Sequence, residues 1–392
     1  MKQTTCRVCG KKLNLLYAFG DVPVANVFDL GARVQTHPLP LCICRGCGLV
    51  QLGYIVPPKD IFPAYRYTSS ASEPLVAHLN ALAKSSVALF AHPEKAAVLD
   101  IGANDGTFLL ALGRRVRLRV GVDPASVVSK KSVDAGIIMK HAFFSARVAR
   151  SLLRTHGPFD LIVATHTLAN VVDLHDFFRG ISLVLRDTGI VILEVGDVDT
   201  ILKKGCFDSV YHEHYSYFSA ATIRYLLSLH GFRMKKIEKL PMHGGSIRIV
   251  AVRSAKIMAI PPGALHSARI SSVFQKRITK YKVRIKNVLE KYSGKVVIGF
   301  GAPSKAATLF HVAGLSGIVT AFVDSTPQKQ GLVFPGTTIP IYTENYIRDK
   351  QVGAIILFSW NYAPLVLKKI RALVSGHTDV IIPFPTLRVV RV

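Results

Sequence analysis

The sequence predicts an α/β protein in which an N-terminal zinc-binding domain precedes two units of alternating strand and helix. Three observations carry this. Residues 97–108 and 295–305 each read as a buried strand, a glycine turn and the start of a helix. About 20 residues after each turn, a strand ends in a carboxylate, Asp123 in one case and Asp324 in the other. The third observation is a pair of Cys-x-x-Cys knuckles, Cys6/Cys9 and Cys44/Cys47, each followed by glycine.

Composition narrows the class. The chain has 392 residues, of which 49% are apolar and only 19% charged, so packed domains are expected and disorder is not. The net charge is +26, from 50 basic and 24 acidic residues. Such a balance suits an anionic partner such as nucleic acid, a membrane surface or a phosphorylated small molecule, or simply a basic surface. No apolar run reaches the roughly 18–20 residues that a membrane span needs. Met1 leads directly into the first cysteine pair, with no pattern of a signal peptide, so a cytoplasmic protein is expected.

Taken in order, the knuckles come first. Four thiolates complete a tetrahedral zinc site with no open position, so Cys6, Cys9, Cys44 and Cys47 are expected to hold a structural ion. Cys42 is a rival ligand with poorer spacing. Next, Tyr65 and Tyr67 lie among hydroxyl-bearing residues, in a loop suited to lining a polar site. A helix is expected over 73–90, with Pro74 in its first turn.

The run AVLDIGANDGTF follows. Asp100, Gly102, Asn104 and Gly106 form the turn, and Asp123 ends the next strand where a Rossmann-like site bonds a ribose diol. The pattern, apolar–apolar–Asp–apolar–Gly-x-x-x-Gly, matches the first motif of class I S-adenosylmethionine-dependent methyltransferases. The alternating rhythm continues through a strand at 159–164. His166 and Asn170 stand at its carboxyl end, where such sheets bind ligands. A helix over 173–185 and a strand over 189–195 lead to FDSVYHEHYSYFS at 207–219. This run of tyrosines, histidines and a glutamate would be costly to bury without partners, and it is the strongest candidate site. Beyond a helix stopped near Gly231, a Gly-Gly turn offers His243, Gly245, Ser246 and Arg248 as donors to a ligand. An apolar stripe, Phe274, Ile278, Tyr281, Ile285 and Val288, marks a basic linking helix. In the second α/β unit Lys305 lies in a first helical turn, where a phosphate could meet it. The expected divisions are 1–70, 71–254, 255–292 and 293–392.

These motifs, together with PVAN (Pro23–Asn26), CGLVQL (Cys47–Leu52), HGGSIR and FGAPSKAATL (Phe300–Leu309), give the chain a family resemblance over nearly its full length. It resembles the S-adenosylmethionine-dependent C-methyltransferases that act on nucleotide-linked 4-keto deoxysugars. The resemblance implies a zinc-binding domain, a central methyltransferase domain and a C-terminal domain that helps to hold the sugar nucleotide. It implies that His214, the second histidine of YHEH, is the base, that Tyr211 sits at the reacting sugar, and that Glu213 orients the base or binds a sugar group. Tyr65 matches a tyrosine of the same site, and the methyl is expected on carbon 3. Asn170 departs from a histidine frequent in the family pattern; it can donate to an enolate oxygen but cannot transfer a proton, so either the sugar differs or Tyr211 or His166 covers that role. No nucleic-acid or membrane partner is expected, and the protein would be a monomer or homodimer. The alternative is a zinc-containing nucleic-acid-binding protein or RNA methyltransferase, which would leave YHEHYSY and the second α/β unit unexplained.

Overall fold

The computed structural model describes residues 1–28, 35–61, 68–125, 130–258, 267–348, 350–374 and 376–392. Three sheets organise the described chain. The central sheet runs in the order Phe232–Leu240, Ser246–Arg253, Leu185–Gly196, Phe159–Thr165, Ala97–Ile101, Leu118–Asp123 and Ile138–His141. Its last five strands are parallel, and the hairpin of the first two joins antiparallel to Leu185–Gly196. Every residue of Ala97–Ile101 is buried, as expected of an inner parallel strand covered on both faces. Helices pack on each face, making two apolar layers that hold the carboxyl ends of the strands in a fixed row.

The C-terminal sheet orders Ile341–Tyr342, Ala321–Val323, Val296–Phe300, Val352–Leu357, Asp379–Ile382 and Arg388–Arg391, parallel except for the last pair. This is the second Rossmann-like unit. The N-terminal sheet is antiparallel: Leu13–Pro23, Thr36–Cys44, Val50–Leu52 and, from far along the chain, Ser216–Tyr217. The zinc-binding region is therefore completed by the YHEHYSY stretch.

The expected linking helix is Ser267–Leu289. It does more than connect. Phe274, Ile278 and Ile285 are fully buried in one apolar core that also contains Leu16 and Leu41 of the N-terminal sheet and Val297 and Ile355 of the C-terminal sheet. Burial of such side chains contributes about 1.5–3 kcal/mol each, so the two ends of the chain are fastened together around this helix. The helix predicted over 73–90 is Glu73–Val87, with Pro74 in its first turn. Local caps set the helices beside the site: Asp173 accepts from Asp176 N–H, Asp197 from Asp199 N–H and Ser219 from Thr222 N–H. Among the described residues, no helix is long and apolar enough to cross a membrane.

Candidate active site

The glycine turn after Ala97–Ile101 forms one wall. Gly102 has φ +79°, and a Cβ there would lie 1.9 Å from Thr167 Oγ1, so the backbone and the neighbouring loop meet with no room for a side chain. Asn104 N–H donates to Asp123 Oδ2 at 2.9 Å and Ala125 N–H to Oδ1 at 2.8 Å. These bonds leave lone pairs of Asp123 for a diol. Ser69 and Ser70 N–H close over the turn, donating to Asn104 Oδ1 and Asp105 Oδ2. Asp100 Oδ1 is buried without a partner, and burial together with Asp123 pushes that carboxyl up to about 8. An unpartnered carboxyl oxygen beside a tight turn and a strand-end acid fits a nucleoside methyl donor at Asp100, Gly102, Asn104, Gly106 and Asp123.

A histidine–carboxylate cluster stands at the neighbouring strand ends. His166 takes φ 54°, which is rare for a side-chain-bearing residue, and its N–H donates to Glu194 O at 2.8 Å. Glu194 is fully buried and receives His78 Nε2 at 2.7 Å and Arg248 Nε at 2.5 Å, with His166 Nε2 3.9 Å away. Burial pushes Glu194 up, but His78, His166 and Arg248 outweigh it and hold the carboxyl below its ordinary value. The His243 ring meets His166 edge-on, with centroids 4.4 Å apart. Three of the expected donors have partners within the protein. Arg248 pairs with Glu194 and Glu238. Ser246 is buried and donates to Met242 O, closing the hairpin turn, and Gly245 N–H does the same.

The stretch at 207–219 forms the opposite wall. Tyr211 Oη and His214 Nε2 are 2.7 Å apart, with ring centroids 4.1 Å apart. Burial, reinforced by His166, pushes the His214 imidazole down to about 3, so it is neutral at physiological pH. Glu213 is buried, accepts from Asn26 Nδ2 at 3.1 Å through one oxygen, and has no partner on the other. Burial pushes it up to about 8. Asn26 also donates to Ser304 Oγ at 2.7 Å, so PVAN, YHEH and the C-terminal glycine turn meet here. His212 faces away, bonded to His37 O at 3.2 Å, and is structural. Tyr215 N–H donates to Ala169 O at 2.7 Å, bringing Asn170 alongside, with its buried Oδ1 unpartnered. Lys305 has partners within the protein: its ammonium donates to Asn361 Oδ1 at 2.6 Å, lies 3.7 Å from Asp208 and covers the Trp360 ring. Tyr65 and Tyr67 lie outside the described residues.

The four knuckle sulfurs all lie within 4.8 Å of one another. Thiolates at ~2.3 Å from zinc stand about 3.8 Å apart in a tetrahedron, so Cys6, Cys9, Cys44 and Cys47 fit the ion. Cys42 is outside the group.

Sequence reasoning assigned no role to Glu194, His78, Asp208 or Trp360, and read Asn26 only as part of the PVAN motif. Glu194 carried a signal, an acid in the otherwise apolar run 189–195, and Asp208 lies within the 207–219 stretch. Trp360 Nε1 donates to Asp208 Oδ2 at 2.6 Å across 152 residues of chain, a pairing that no local pattern announces.

Three family models match successive parts of the chain: "Putative zinc binding domain" over residues 6–62, "Methyltransferase domain" over 75–237 and "C-methyltransferase C-terminal domain" over 241–385. The chain is 29% identical to C-methyltransferase NovU from Streptomyces niveus over 405 aligned positions, 98% of this chain and 96% of NovU. Among solved structures it is similar to YcgJ from Bacillus subtilis (16% identity, 46% of this chain and 100% of that one, TM-score 0.37). It is also similar to magnesium protoporphyrin IX methyltransferase from Synechocystis with bound S-adenosylhomocysteine (16%, 46% and 83%, TM-score 0.35). The three models run in register along the chain, the four-cysteine site lies within the first of them, and NovU aligns end to end; together they support an S-adenosylmethionine-dependent C-methyltransferase.

Proposed function

We propose that the protein C-methylates a nucleotide-linked 4-keto-6-deoxysugar, at carbon 3, with His214 as the base. The observation that carries this is the half-buried His214 in hydrogen-bond contact with Tyr211 at 2.7 Å, on a stretch whose adjacent residues bond to Asn26 of the N-terminal unit and Ala169 of the central one. A sugar carbon becomes a nucleophile only when a proton beside a ketone is removed. His214 takes that proton, directly or through the Tyr211 hydroxyl, and a neutral imidazole is the form able to do so. Asn170 lies beside the stretch and donates to the enolate oxygen. Glu213, protonated through burial, holds a sugar hydroxyl or the ketone. When bound, S-adenosylmethionine supplies an electrophilic methyl group. Asp123 and the glycine turn hold its nucleoside, and His166 and His243 border the cleft between the two substrates. The zinc site keeps the N-terminal sheet folded.

The nucleotide has a place of its own in this reading. A cavity of about 410 Å³ lies between the Gly244–Gly245 turn and the C-terminal unit. Trp360 and Phe384 form part of its apolar floor, while Lys204, Lys239 and Arg388 offer charge for a diphosphate. The test is turnover of thymidine, guanosine and cytidine diphosphate 4-keto-6-deoxysugars, read as a mass gain of one methylene. One of them is expected to turn over with wild-type protein. His214→Ala is expected to lower the rate by about 10²–10⁴-fold while still binding S-adenosylhomocysteine. Near-normal turnover by the variant contradicts the base assignment.

A further inference from the structure

We propose that Arg7 is a positioning residue for the reaction, fixing the two loops that carry Asn170 and His214 to the zinc knuckle. Arg7 stands between Cys6 and Cys9, so the metal site anchors its backbone from both sides. Its N–H donates to Gln51 Oε1 at 3.0 Å, and Gln51 Nε2 donates to Thr5 O at 3.4 Å, locking it to the neighbouring strand.

The side chain leaves the knuckle and divides between two loops. Nη1 donates to Val171 O at 3.1 Å and Val172 O at 3.4 Å. Nη2 donates to Tyr215 O and to Ser216 Oγ, the latter at 2.5 Å. The guanidinium carbon also lies 5.7 Å from the centre of the Tyr215 ring. Each set of acceptors is next in sequence to a reacting group: Val171 follows Asn170, and Tyr215 follows His214. Tyr215 N–H to Ala169 O, at 2.7 Å, closes the link between the loops.

The choice of residue fits spacing better than stability. Among the described residues no carboxylate pairs with Arg7; carbonyls and a hydroxyl accept from its Nη atoms, and its buried Nε has no partner. A planar fork with donors in fixed directions sets the distance between two loops; a lysine ammonium has neither the width nor the fixed geometry. Through Arg7, the zinc knuckle sets the separation of Asn170 and His214. The inference rests on the assignment of those two residues made above.

The test is amide hydrogen exchange, read by mass spectrometry, on the full zinc-loaded chain. Arg7→Lys is expected to keep its zinc and to bind S-adenosylhomocysteine within about twofold of wild type. Peptides covering 168–173 and 211–217 are expected to exchange about tenfold faster or more, while those from Leu13–Pro23 stay unchanged. The turnover number is expected to fall by at least about tenfold, the loss of aim rather than of a reacting group. Ser216→Ala, which removes one acceptor, is expected to give a smaller rise of about threefold in 211–217 and serves if Arg7→Lys does not fold. Unchanged exchange in both loops, or equal acceleration throughout the N-terminal sheet, overturns the proposal. Faster exchange with unchanged turnover overturns the role in the reaction and counts against the His214 and Asn170 assignment, while leaving the structural grip of Arg7 standing.

Discussion

The two Rossmann-like units carry the same turn and put it to different uses. In the central unit Asn104 N–H reaches Asp123 Oδ2 at 2.9 Å; in the C-terminal unit Ala302 N–H reaches Asp324 Oδ2 at 2.7 Å. Around that shared bond the two diverge. Asp324 faces the buried ammonium of Lys329 at 3.7 Å, and the same ammonium donates to Ala302 O at 2.9 Å. Burial raises the Asp324 carboxyl, but Lys329 and three further donors hold it below its ordinary value. Asp123 has no ion pair among the described residues, its carboxyl is pushed up by burial, and Asp100 beside it keeps an unpartnered oxygen. One turn is plugged by the chain's own lysine; the other has polar valence left for a ligand. The lesson is that a strand–glycine-turn–acid pattern specifies a backbone shape, and the residues that later enter the crevice decide whether anything binds there.

That contrast can be broken by substitution. Asp324→Ala leaves Lys329 buried and unpaired, and is expected to cost about 3–5 kcal/mol of folding stability with the affinity for S-adenosylhomocysteine unchanged. A denaturant melt and calorimetry on the same sample check both halves. Asp123→Ala is expected to do the reverse, weakening S-adenosylhomocysteine by about 1.5–3 kcal/mol with little change in the melt of the unliganded protein. If Asp324→Ala weakens the ligand as much as Asp123→Ala does, the difference drawn between the turns is wrong.

The pH dependence sharpens the comparison more gently. The stability from Asp324 is complete above the ordinary aspartate pKa of about 3.9 and is lost as pH falls through its depressed folded value. Asp100 works in the opposite sense. Its folded carboxyl, pushed up to about 8, retains a proton that the unfolded chain releases near pH 4. Its contribution is therefore present in acid and declines as pH rises toward about 8, by at most about 1.4 kcal/mol per pH unit. Asp100→Asn is expected to flatten that decline in urea melts between pH 5 and 8. A slope equal to wild type would show that Asp100 is not the group responsible.

Much of this was legible in the sequence because it is local. The cysteine knuckles, the turn at Gly102 and the acid at Asp123 are short-range patterns, and each stands where its spacing placed it. What the sequence did not show is the partners of the expected donors: Asn361 and Asp208 for Lys305 and Glu194 for Arg248 come from distant segments, while Ser246 bonds Met242 O only four residues back. The linking helix was readable from its stripe, yet the joining of the N- and C-terminal sheets around it was not, because a stripe shows that a face is buried and not what covers it. The pairing of Ser216–Tyr217 with Val50–Gln51 is likewise non-local.

The central claim is that His214 makes the sugar carbon nucleophilic, and exchange of its proton tests it without the methyl step. The chain would be incubated in deuterium oxide with a nucleotide-linked 4-keto-6-deoxysugar and S-adenosylhomocysteine. Deuterium is expected at carbon 3 with wild-type protein and not with His214→Ala. Equal incorporation by the two proteins would contradict the claim.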